Sequence, residues 1–286
     1  MIKAIVSTLL LACILPACAL PARAETSHSP TQPVPDPLGV HLPPALSASI
    51  VTGLIRPATD RANPGLVGAK PWPGQPDLYV AIVCTGGAGP LTPGDLQCAR
   101  PDSGEAQPPL HVYLGVIEAK DGAPPRLVAR SEPLDGAMHW DNSGLPRQPM
   151  AADDADGGIP PDQFDRFDLA PYKVAPGQPA FGLRVSWTET YSGGGASFTG
   201  LCLFAMDGDR LRQVLAIPMS ADSDVAGDWH KDQTRDHEIT SAANVLVVAA
   251  HSTDGHFDLL VKGLTGRWRQ MFRWSATAGA YKPAKE

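Results

Sequence analysis

Phe181, Leu183, Val185 and Trp187 alternate with Arg184, Ser186, Thr188 and Thr190. A period of two gives an extended chain one apolar and one polar face, as in a sheet that covers a core on one side. From Asp77 onward the texture recurs, with short apolar or alternating runs separated by Gly, Pro and Asp. Strands are predicted over Leu78–Cys84, His111–Glu118, Arg126–Ser131, Ala180–Thr190 and Ser197–Met206. Five more are predicted over Arg210–Pro218, Val245–His251, Phe257–Lys262, Trp268–Ser275 and Ala280–Pro283. Helical signals are scarce; Ala45–Ile55 reads as a short helix or a first strand.

Asp207-Gly208 stands between two apolar runs and marks a hairpin, and Asp121-Gly122 repeats the device before Arg126. A looser version lies at Ser275–Ala280. The spacing is irregular, which favours one antiparallel domain over a true repeat. The expected fold is all-β: a β-sandwich or barrel-like domain of about ten short strands over residues 75–286, with a β-propeller-like arrangement as the alternative. Residues 25–74, rich in Pro and Gly, read as a flexible lead-in. Gly144–Pro161 and Ser220–Ser241 read as loops.

The N-terminus carries Lys3, an apolar run from Ala4 to Leu15, and Ala22-Arg23-Ala24, the pattern of a cleavable secretory signal over residues 1–24. The run is shorter than the roughly 20 residues a spanning helix needs. Leu10-Leu11-Ala12-Cys13 and Leu15-Pro16-Ala17-Cys18 resemble lipid-attachment sites, so anchoring through Cys18 or Cys13 is the alternative to a soluble periplasmic or secreted form. No second long apolar segment follows, and no transmembrane segment is expected in the mature chain. A formal charge of −7 without any basic run argues against nucleic acid and anionic membranes as partners. An oxidising compartment favours a disulfide between Cys84 and Cys98, while Cys202, inside Leu201-Cys202-Leu203-Phe204, suits a buried, inert thiol.

Tyr191-Ser192-Gly193-Gly194-Gly195 is the most distinctive string. Consecutive glycines let backbone N–H groups approach a ligand or a neighbouring strand. It lacks the lysine of a phosphate loop and the framing of a serine nucleophile, which leaves a contact surface or a tight connection. Trp140 and Trp229 fall in polar stretches, where an exposed indole stacks on a sugar or fills a partner's pocket. Trp187 and Trp274 lie on apolar faces and read as core. The acidic stretch from Asp222 to Glu238 has no calcium-loop spacing, and Asp153–Gly157 lacks the end ligands of an EF-hand. His230, His237, His251 and His256 crowd the last quarter near Glu238, without a protease motif.

Phe167-Asp168-Leu169-Ala170-Pro171-Tyr172, the glycine string, Leu203-Phe204 and Val214-Leu215 resemble uncharacterised exported proteins of Gram-negative bacteria over about residues 165–283. The resemblance implies a bacterial envelope location and brings no activity, cofactor or site. The expected role is therefore a non-enzymatic exported protein without a cofactor, binding an envelope or extracellular protein or glycan through Tyr191–Gly195, Trp140 and Trp229. The alternative is a secreted hydrolase in which His237, His251 and His256 hold a cation and Glu238 takes a proton from its bound water.

Overall fold

The structure, a computed structural model, describes residues 35–87, 98–100, 109–152 and 157–284. The signal peptide expected over 1–24, with Cys13 and Cys18, and Asp153–Asp156 lie outside the described residues. Asp36–Glu286 form one compact unit.

After helix α1 (Ala48–Ile55) come β1 (Pro64–Pro71), β2 (Leu78–Thr85), β3 (His111–Glu118) and β4 (Arg126–Arg130), which pair in order as an antiparallel meander. A second meander runs through β5 (Gln163–Ala175), β6 (Gln178–Tyr191), β7 (Gly194–Asp207), β8 (Arg210–Trp229), β9 (Arg235–Thr253), β10 (His256–Gly263), β11 (Arg269–Ser275) and β12 (Ala280–Pro283). A single parallel bridge, Arg130 to Arg210, joins the two into a 12-stranded sheet that is not closed into a barrel. The fold is all-β as expected. Its strands outnumber the ten predicted, and β8 alone spans 20 residues.

Packing produces layers. Val80, Ile82, Val112, Leu114 and Val116 of the first meander share one core with Phe164, Phe181, Leu183, Val185, Phe198 and Phe204 of the second. On the outer face of the first meander, Val51 and Ile55 of α1 cover Ala81, Val83, Tyr113 and Ile117. A Cβ on Gly115 would sit 2.6 Å from Ile55, so this position leaves room for the helix. A third core forms where Leu201, Leu203, Val214, Leu215 and Ile217 meet Leu259, Val261 and Tyr281. Strand β7 is thus covered on both faces. Leu201 and Leu203 serve one core, Cys202 and Phe204 the other, which explains a continuous apolar run where half-exposed strands alternate. Burial pushes the Cys202 thiol up to about 12 and keeps it inert.

Residues 36–74 are no flexible lead-in. The Ser47 side chain caps α1 by accepting from the Ile50 N–H, and Pro57 ends it by forcing Arg56 to extended backbone. Strand β1 is an edge strand, where Pro64 and Pro71 remove no ladder bond that the sheet needs. The Leu38 carbonyl oxygen approaches to 2.1 Å from the Cβ that any other residue would carry at Gly68. Cys84 and Cys98 are bridged, with Cα atoms 5.7 Å apart. Phe164 donates to the Cys98 carbonyl, so the bridge ties the end of β2 to the start of β5.

Candidate functional site

The stretch Ser220–Ser241 is not a loop. Strands β8 and β9 continue through it as a ladder from Ser220–Ala243 to Trp229–Arg235, and the β6–β7 hairpin runs alongside, with Gly194 opposite Val225. The two hairpin ends form a four-stranded arm. From Asp222 to Ala243 only Ser223 is buried, so both faces read polar and the alternation that marks the other strands is missing.

The arm places most of the predicted contact residues. Ser192 and Gly193 form the β6–β7 turn, where Gly193 holds φ +87° and a Cβ would lie 3.0 Å from that of Ala226. Gly194 and Gly195 are ladder residues; a Cβ on Gly194 would meet the Asp224 carbonyl oxygen at 2.1 Å. Three glycines therefore serve a tight turn and close strand approach. The Tyr191 hydroxyl accepts from Arg147 at 3.3 Å, and the Met150 N–H donates to Glu189 at 2.6 Å. Both contacts fix the segment 147–150 against one face of the arm.

The other face is open. It carries Thr188, Ser197, Asp222 and Ser241 in one cross-strand row and Thr190, Asp224 and Ile239 in the next. Ser241 donates to Asp222 at 2.5 Å, and His237 Nδ1 lies 2.6 Å from Asp224. At the tip Trp229 is 68% exposed with the Arg235 guanidinium 5.4 Å above its ring, and Ile239 is 74% exposed. Hydroxyls and carboxylates line a shallow groove with Ile239 in it, and Trp229 stands apart at the tip, an arrangement that suits recognition of a polar surface with an apolar feature.

Trp140 does not belong to this surface. It is 3% exposed and packs edge-on against Trp187 at 5.1 Å and Phe198 at 5.5 Å. Its polar neighbours misrepresent it: Met138 pairs with Ile159, and the segment between β4 and β5 lies over the core with the indole as its plug.

The histidines are dispersed. His237 and Glu238 are neighbours on β9 and point to opposite faces. His251 lies 14 positions on, on the order of 40 Å along an extended strand. Its Nε2 is 3.1 Å from Asp258, a carboxylate 1% exposed that Arg273 also approaches at 3.5 Å. His256 instead stacks on Trp274 with ring centroids 3.8 Å apart, and His230 pairs with Asp236 at 2.8 Å. The set His237, Glu238, His251 and His256 does not converge, and no group of three His, Cys, Asp or Glu that could hold a metal occurs among the described residues. Nearness of the histidines along the chain gave no account of strand length, which is what separates them.

Comparison of the chain with protein families, with curated proteins and with solved structures finds no match. One concave feature had no signal in the sequence: a cleft between β8 and β12, assembled from segments far apart in the chain.

Proposed function

We propose that the protein is exported to the periplasm or beyond and acts there as a non-enzymatic binding protein, with the open face and tip of the arm as its contact surface. One observation carries this reading: Trp229 and Ile239, large and apolar, are left in solvent on an arm whose open face carries Thr188, Thr190, Ser197, Asp222, Asp224 and Ser241. Isolated exposed apolar residues are ordinary, but two on one projecting ladder beside a polar groove resemble the anchors of an interface. The Cys84–Cys98 bridge supports an oxidising compartment, and no helix among the described residues is long and apolar enough to cross a membrane. The partner is an envelope or extracellular protein or glycan.

The test is co-sedimentation with washed envelope fragments of a Gram-negative cell. Wild-type protein should sediment saturably, and the double variant Trp229→Ala, Ile239→Ala should lose at least about tenfold in affinity, the scale of one or two anchor residues. Equal sedimentation of both proteins, or none by the wild type, would overturn the reading. Mass spectrometry of the exported form should give a chain that starts at Glu25.

A further inference from the structure

Strand β8 has one edge without a strand partner. It touches β4 only at Arg210 and joins β9 only from Ser220, so between these points its outer edge is unpaired among the described residues. Strand β12, the last of the sheet, pairs with β11 alone. These two edges face each other across a cleft of about 300 Å³. Leu215 and Ile217 of β8 form one wall, and Val261, Phe272 and Tyr281 form the other. Trp268 lines the cleft as well, and His139, Asp141, Asn142 and Ser143 contribute its polar side.

The walls are set before any ligand arrives. Gly144, with φ +71°, lies flat on the Trp268 indole, so close that a Cβ would stand 2.1 Å from the ring. The Tyr281 hydroxyl reaches the carbonyls of Phe257 at 2.9 Å and Val174 at 3.1 Å. Buried Asn244 donates to the carbonyls of Ser143 and Pro218, both lining residues, and clamps the 139–143 segment onto β8. Rigid walls reduce the ordering entropy that binding must offset.

Size and lining define the ligand. Protein interiors are close-packed, and an apolar cavity of about 150 Å³ takes up benzene. Twice that volume, with three aromatic rings around it, matches two fused rings. His139, Asp141 and Lys282 bring both signs of charge to the rim, which favours a hydrogen-bonding edge over a net charge. We propose that this cleft is a binding site for a planar, largely apolar compound of about two fused rings, held among Trp268, Phe272 and Tyr281 with its polar edge at the rim. The site is separate from the arm, and neither depends on the other.

Calorimetric titration of the full chain with 2-naphthol tests it. Saturable one-to-one binding is expected, and phenol, with one ring, should bind at least about tenfold more weakly. Trp268→Ala, which removes one wall, and Ala280→Phe, which fills the cleft, should each weaken binding at least about tenfold with thermal melting still cooperative. Trp229→Ala on the arm should leave it unchanged. No saturable binding of 2-naphthol, or binding that Ala280→Phe leaves intact, would overturn the proposal. If Trp268→Ala does not fold, Ala280→Phe decides the matter alone.

Discussion

Asp60 accepts the Tyr113 hydroxyl at 2.9 Å on the same oxygen that takes the Thr85 hydroxyl at 2.7 Å. Its other oxygen accepts the Ala62 N–H at 2.9 Å. Burial opposes its ionisation, but the bonds from Thr85, Ala62 and Tyr113, with the His111 ring 3.6 Å away, outweigh that and hold the carboxyl at about 2. Burial, together with the same carboxylate, pushes the Tyr113 hydroxyl up to about 12. A carboxyl held below its ordinary value adds stability that is full above about pH 4 and is lost as pH falls toward 2. Denaturant titration should therefore show an acid limb in that window. Asp60→Asn should flatten it and lower neutral-pH stability by about 2 kcal/mol.

Asp165 predicts the opposite slope. Burial pushes its carboxyl up to about 6 against the bond from Ser186 at 2.9 Å and the nearby Arg166. Between about pH 4 and 6 the native state then binds more protons at this position than the unfolded chain, so stability falls as pH rises through the window. Asp165→Asn keeps an acceptor for Ser186 and removes the charge. Its melting temperature should exceed that of the wild type above pH 6 and converge with it near pH 4. A melting series in which the gap between the two proteins does not close as pH falls from 6 to 4 would refute the assignment.

Removing the Cys84–Cys98 bridge should cost about 3 kcal/mol if constraint of the unfolded chain dominates, given its separation of 14 residues. The double variant Cys84→Ser, Cys98→Ser measures this by denaturant unfolding. Alkylation without denaturant should leave Cys202 unmodified in both proteins, because its sulfur is buried in the main core.

Strands with a covered face were legible. His111–Glu118 and Ala280–Pro283 agree residue for residue with expectation, because burial imposes a hydrophobic pattern and turns impose Gly or Asp. Strand β5 was hidden by three register shifts, the first of which sets Phe164 and Phe167 three apart and breaks the period of two. The outer halves of β8 and β9 were hidden for another reason: solvent on most sides leaves no apolar rhythm to read. Of the candidate site, Trp229 and the glycine turn could be found as local strings. The cleft could not, since Trp268, Ile217 and His139 meet only through the curl that brings β12 back to β8.

Trp140 and Trp229, alike in their polar surroundings along the chain, should respond oppositely to truncation. Trp140 fills space between Trp187 and Phe198 in the main core. Trp140→Ala leaves a cavity there that the stacked sheets cannot collapse into, and should cost about 3–5 kcal/mol. Trp229 is 68% exposed and touches little beyond the Arg235 side chain. Trp229→Ala should shift stability by no more than about 1 kcal/mol, a cation–π contact at an exposed site plus a little packing. Equilibrium unfolding of the two variants measures both. Equal losses would mean that the arm is part of the cooperative core, and Trp229 would then be held by packing and unsuited to serve as a free anchor for a partner.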